Sequence, residues 1–85
     1  MFEVINGMLH NLKINKEFFS PVIERIKTFE IRKNDRDFQV GDQIVLNEWD
    51  EKNNQYTGKK VNGEIIYITD YEQKENYVVF SFKLI

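Results

Sequence analysis

Lys27-Thr-Phe-Glu-Ile-Arg-Lys-Asn-Asp35 is the stretch on which the reading of this 85-residue chain turns. Its residues alternate: Phe29 and Ile31 share one face of an extended segment, Thr28, Glu30 and Arg32 the other. That period predicts a core strand. Charged side chains are seldom buried without partners, so Glu30 and Arg32 on one face predict a cleft lined by paired charges. Downstream, Val40-Gly41-Asp42 marks a tight turn, and Gln43 to Trp49 reads as a second strand through Ile44, Val45 and Leu46.

The same reading extends outward in both directions. Asp50 to Gly58 is turn-rich and closes a hairpin or wide loop, and Val61 to Thr69 reads as a long strand through Ile65, Ile66, Tyr67 and Ile68. Asn62-Gly63 inside it marks either a bulge or a hairpin turn. After the polar Asp70–Asn76 segment, Tyr77 to Ile85 is a final strand with Val78, Phe80 and Phe82 opposing Val79, Ser81 and Lys83. Upstream, Asn6-Gly7 is a turn signal and His10 to Ile14 a short strand. Asn15 is placed to cap a helix whose apolar residues are Phe18, Phe19, Val22, Ile23 and Ile26. Pro21 predicts a kink there or two short helical pieces, with Ser20-Pro21 restarting the second. The predicted class is α+β, mainly β: a small mixed β-barrel of about five strands whose closure removes exposed edges, with the helical segment at one opening.

Residues 1–85 suffice for one domain and no second core. A chain this short buries only about 60% of its unfolded surface. Seven Phe, four Tyr and one Trp supply large apolar groups for that core. The absence of cysteine excludes disulfides, thiolate catalysis and cysteine-ligated zinc, and His10 alone cannot build a histidine-rich metal site. No metal or other cofactor is expected. There is no basic segment leading into an apolar one at the N-terminus and no apolar run of about 18 residues, which predicts a soluble cytoplasmic protein without membrane contact. Net charge is −2, unevenly spread. Arg25, Lys27, Arg32, Lys33 and Arg36 face only Glu30 and Asp35, whereas acids prevail between Glu48 and Glu75. A local basic patch of this kind suits phosphate even on a slightly acidic chain.

Lys27, Glu30 and Arg32 are the sharpest candidates for chemistry. Arg32 offers a planar fork for phosphate or carboxylate. Glu30 is suited to accept from a base edge or to act as a general base, and a structural ion pair with Arg32 or Lys27 is the competing reading. Lys33 extends the basic patch, and His10 and Lys13 precede the helix and are expected near the same cleft. Trp49 and Tyr67 are aromatic groups for base stacking or barrel packing. Gly41-Asp42 reads as structural, the glycine permitting the turn and the aspartate satisfying backbone donors. Thr57-Gly58-Lys59-Lys60 lacks the upstream glycine of a phosphate loop.

His10-Asn-Leu-Lys-Ile14, the helix with Phe18-Phe19, Lys27 to Arg36, Phe38-x-Val-Gly-Asp42 and Glu48-Trp-Asp50, taken in order, resemble the activating signal cointegrator homology (ASCH) domain. More narrowly, they resemble its small stand-alone bacterial and phage-borne members. The resemblance implies a barrel related to the pseudouridine synthase and archaeosine transglycosylase (PUA) domain, with an RNA-receiving cleft between helix and barrel. Lys27, Glu30 and Arg32 match the signature Gly-x-Lys-x-x-Glu-x-Arg, but Arg25 stands where the glycine is expected, which predicts a different helix exit and an altered cleft mouth. Some superfamily relatives resemble amidohydrolases acting on an acylated cytidine, with a lysine matching Lys27 and a threonine nucleophile three residues on. Glu30 occupies that threonine's position and Thr28 is offset by two residues, so that reaction is not expected.

Three functions follow in order. The first is a cytoplasmic module binding single-stranded or looped RNA, with Lys27, Arg32 and Lys33 on phosphate, Glu30 reading a base or orienting the arginine, and Lys13, His10 and Tyr67 around them. The second is a small hydrolase of a modified nucleoside with Lys27 and Glu30 as acid and base. The third is an adaptor whose Lys33–Asp37 loop meets a partner protein.

Overall fold

A computed structural model describes residues 7–85, so Asn6 of the predicted Asn6-Gly7 turn lies outside the described residues. Strand β1 (Leu9–Asn15) alternates strictly, turning His10, Leu12 and Ile14 inward. It runs directly into helix α1 (Lys16–Ile23), which buries Phe19 and Val22. Asn15 holds the extended cap conformation, but its side chain makes no capping hydrogen bond. The predicted two helical pieces are one eight-residue helix containing Pro21. In so short a helix the proline forfeits one hydrogen bond, to the carbonyl of Glu17 in the first turn, leaving too little helix beyond it to form a second piece.

The exit from α1 corrects the expectation drawn from Arg25. Arg25 itself takes the left-handed conformation (φ +61°) that a glycine would supply. Its N–H donates to Val22 O at 2.9 Å and the Ile26 N–H to Pro21 O at 2.9 Å, the paired bonds of a Schellman turn. The chain therefore leaves the helix by the usual glycine route despite the substituted residue. Lys27 follows immediately, its N–H also reaching Pro21 O at 3.1 Å.

The remaining strands are β2 (Phe29–Lys33), β3 (Gln43–Asp50), β4 (Gln55–Thr69) and β5 (Tyr77–Leu84). They join β1 in one curled five-stranded sheet, a half-barrel of order β1-β3-β4-β5-β2. The β1–β3 pair is parallel and the other three pairs are antiparallel. Leu12, Ile14, Ile44, Leu46, Ile65, Phe80 and Phe82 fill its concave side, closed at one end by Phe19 and Val22 and elsewhere by Phe38. Val78, Phe80 and Phe82 point inward as their alternation predicts.

Asn62-Gly63 is neither turn nor bulge. β4 runs straight through it, and the register shifts fall at Asn47/Trp49 and Ile65/Tyr67 instead. Gly63 is there for close approach: a β-carbon would lie 3.1 Å from Lys83 O and 3.2 Å from the Phe82 ring. Gly41 is required by its φ of +98°.

Among the described residues no strand ladder joins the edges β1 and β2, so the sheet does not close into the expected barrel, and side-chain hydrogen bonds reach across to the β1 edge instead. Arg32 Nη2 donates to Lys13 O at 2.5 Å and Arg36 Nη1 to Asn11 O at 2.9 Å. Lys13 and Asn11 are two residues apart, so their carbonyls leave the same side of β1. Two guanidinium groups thus satisfy acceptors that a neighbouring strand would otherwise take. Among the described residues no helix is long and apolar enough to cross a membrane.

Candidate functional site

On β2 the face bearing Glu30 and Arg32 turns inward and the apolar face outward. Phe29 and Ile31 are 44% and 55% exposed, whereas Glu30 is only 6% exposed. The register gives the reason. Glu30 pairs across with Phe80 and Arg32 with Val78, both core positions, while Phe29 and Ile31 sit opposite Ser81 and Val79 on the outer side. The inward carboxylate is tolerated because it is doubly paired. Lys27 Nζ contacts Glu30 Oε2, and Arg32 Nε donates to Glu30 Oε1 at 3.0 Å. Both ion pairs that the sequence offered as alternatives therefore form together. Lys27 Nζ also donates to Phe29 O at 2.7 Å and lies 4.9 Å from the Phe29 ring centre.

These groups line a cleft of about 490 Å³ between the end of β1, the first turn of α1 and β2. Phe18 and Phe29 provide aromatic wall, and Lys13, Lys27 and Arg32 provide three cations against the one carboxylate of Glu30. Lys13 Nζ stands 4.0 Å above the Trp49 ring, whose edge contact with Tyr56 makes the tryptophan a packing and cation-holding group. Glu30 has an oxygen committed to each cation, so its role in the cleft is to orient them. Arg32 retains the hydrogens of Nη1 and one on Nη2, and Lys27 retains one.

Four of the residues singled out from sequence thus converge: Lys13, Lys27, Glu30 and Arg32. Three do not. Lys33 ends β2 opposite Tyr77 and Tyr67 lies exposed on the outer side of β4 opposite Ser81, neither lining the cleft. His10 is buried, its Nε2 2.7 Å from Asp42 Oδ2 and its ring edge-on to Phe38. It forms part of a structural hub, since Asp42 also accepts from the N–H groups of Met8 and Gln39, each at 3.0 Å. Burial pushes the Asp42 carboxyl up, but the bonds from His10, Gln39 and Met8 outweigh it and hold the group below the ordinary aspartate range. Gly41-Asp42 is structural, as its turn signature indicated.

Glu48 is the residue that sequence reasoning missed. It lies on the inward face of β3 and is only 6% exposed. Thr57 Oγ1 donates to its Oε1 at 2.6 Å. The signal was readable: Ile44, Leu46 and Glu48 alternate, which puts a carboxylate on an otherwise apolar strand face. Among the described residues no three histidine, aspartate or glutamate side chains converge as a metal site would need.

The family described as Domain of unknown function (DUF3850) matches residues 9–82, nearly all of the cleft-bearing chain. The chain is also similar to the "Uncharacterized 12.9 kDa protein in GpA 3'region" of Escherichia phage P2, with 36% identity over 72 residues. That match covers 84% of this chain and 64% of the phage protein's length.

Proposed function

The chain belongs to the DUF3850 family, and from that premise and the cleft geometry we propose that it is a cytoplasmic RNA-binding module of the ASCH kind on a PUA-like scaffold. The observation that carries this reading is the Lys27–Glu30–Arg32 cluster: one buried carboxylate holding two cations at the mouth of an aromatic-walled cleft. A cation fixed in this way presents its remaining donors in one direction, which suits a phosphate better than a freely moving side chain does. Arg32 and Lys27 take the phosphate through their unused hydrogens, Lys13 adds charge, and a splayed base lies against Phe18 and Phe29. A volume of about 490 Å³ is in the usual range for a small-ligand site and admits a nucleotide or two, not a duplex. Both Glu30 oxygens are engaged, so no free base stands beside Lys27 for hydrolysis, and binding is the better-supported role.

Fluorescence anisotropy with short single-stranded RNA tests the proposal. Three phosphate-facing cations predict a log–log salt slope of about −2, and so about a twentyfold loss of affinity between 50 and 200 mM salt. Lys27→Ala, which leaves Glu30 paired with Arg32, is expected to reduce the slope to about −1.4. Absence of saturable binding at low salt, or a slope unchanged by Lys27→Ala, would overturn the assignment.

A further inference from the structure

A second cleft, of about 600 Å³, opens on the other side of α1 between the helix and the β3–β4 pair. Glu48 lines it, with Phe19 and Ile23 of α1 on one wall and Gly58-Lys59-Lys60 of β4 on the other. Oε1 of Glu48 is fixed by the Thr57 hydroxyl, whereas among the described residues Oε2 takes no hydrogen bond and no cation lies within ion-pair distance. A carboxylate buried with one neutral donor is costly to fold, and a residue kept at that cost is commonly one that a ligand completes.

The surroundings restrict what that ligand is. Lys59 and Lys60 flank the cleft, so a cationic group is disfavoured there, and the group meeting Glu48 must be a neutral hydrogen-bond donor. The same lysines favour an anionic group on the same molecule. The apolar side chains of Phe19 and Ile23 favour a flat, weakly polar body between the two ends. Among nucleobases, guanine alone presents two adjacent donors, N1–H and the 2-amino group, on its pairing edge. Adenine and cytosine each set an acceptor beside their amino group, which a carboxylate repels. We propose that this second cleft binds a guanine nucleotide, Glu48 accepting from N1–H and the 2-amino group while Lys59 and Lys60 take the phosphate. Thr57 is the positioning residue that holds the carboxylate in its rotamer. The site is separate from the Lys27–Arg32 cleft and does not depend on the function assigned to it.

Amide-resolved NMR titration of the whole chain with GMP, IMP, AMP and CMP is the test. GMP is expected to give saturable shifts at Glu48 and Thr57 to Lys60. IMP, which lacks only the 2-amino group, should bind about tenfold more weakly, and AMP and CMP at least as weakly as IMP. This comparison alters the ligand and leaves the protein intact, so it holds even if a variant fails to fold. Glu48→Gln should abolish the preference for GMP over AMP, and replacing Lys59 and Lys60 with Ala should remove the advantage of GMP over guanosine. A short RNA with a single guanine distinguishes the two sources of the ligand: tighter binding than GMP identifies an RNA residue, weaker binding a free nucleotide. Equal shifts from all four nucleotides, shifts confined to Lys27–Arg32, a guanine preference that survives Glu48→Gln, or no saturation with GMP would each overturn the proposal.

Discussion

Replacing Glu30 by Gln removes one charge and almost no volume, which isolates the electrostatic work of the cluster. The wild-type carboxylate gives one oxygen to Lys27 and the other to Arg32, with side-chain exposures of 7%, 18% and 23% respectively. A glutamine keeps one acceptor and turns its amide hydrogens on the second cation. Breaking a buried ion pair by removing one partner costs about 3–5 kcal/mol. Here one contact survives and Lys27 can swing towards water, so a cost of about 2–3 kcal/mol is expected. That is a large share of the roughly 4–13 kcal/mol total stability of a domain this size. It corresponds to a fall in Tm of roughly 10–20 °C. The assay is urea unfolding followed by Trp49 fluorescence, in a double-mutant cycle with Arg32→Met. Because both changes act on one bridge, they should couple by about 1 kcal/mol or more. A Glu30→Gln protein within about 0.5 kcal/mol of wild type, or additivity with Arg32→Met, would refute the idea that Glu30 organises the cleft.

Asp42→Asn should cost about 3 kcal/mol, because the amide keeps one acceptor but turns hydrogens on the donors of the other oxygen, either the Met8 N–H on Oδ1 or the Gln39 N–H and His10 on Oδ2. The folded Asp42 carboxyl ionises at lower pH than its ordinary value of 3.8, so its stabilisation is full above that value and is lost as pH falls through the folded one. Urea midpoints measured from pH 6 down to pH 3 should therefore decline less steeply in Asp42→Asn than in wild type. Arg25→Gly relieves a left-handed residue but adds freedom to the unfolded chain, giving a net gain of up to about 1 kcal/mol. A loss in the same unfolding assay would contradict the helix exit described above. Gly63→Ala presses a methyl group on Lys83 O, a backbone atom held in the β4–β5 ladder, and should cost about 1–3 kcal/mol. A neutral Tm would show that the two strands separate more readily than their register suggests.

Most of the elements were legible because their signals are local. The alternation in β1 and β5, the apolar run of β3, the Gly41-Asp42 turn and the burial of Phe19 and Val22 on α1 depend on neighbouring residues only and appear at the predicted places. Ile26, expected on the same helix, lies beyond its end and is exposed. Errors arose where a local signal met a long-range constraint. Asn62-Gly63 has the composition of a turn, but Gly63 lies between Ile44 and Leu84 of the flanking strands and remains in β4. Arg25 lacks the freedom of glycine, yet two backbone bonds to Val22 and Pro21 hold it in the left-handed region. In β2 alternation separates Phe29 and Ile31 from Glu30 and Arg32, but only the register with β5 turns the paired charges inward.

The sequence by itself determined the class of the fold, the strands and helix that compose it, and the grouping of Lys27, Glu30 and Arg32, since residues three and two apart at one junction cannot be far from each other. Only the tertiary structure decided which face of β2 is buried. It also brought Lys13 to that cluster from β1 and left His10, Lys33 and Tyr67 outside it. The same structure set Glu48 and Thr57, nine positions apart, within one hydrogen bond. The physical reason is that alternation assigns residues to two faces without saying which one meets the core. That choice falls to strand order and register, which depend on contacts between residues distant in the chain.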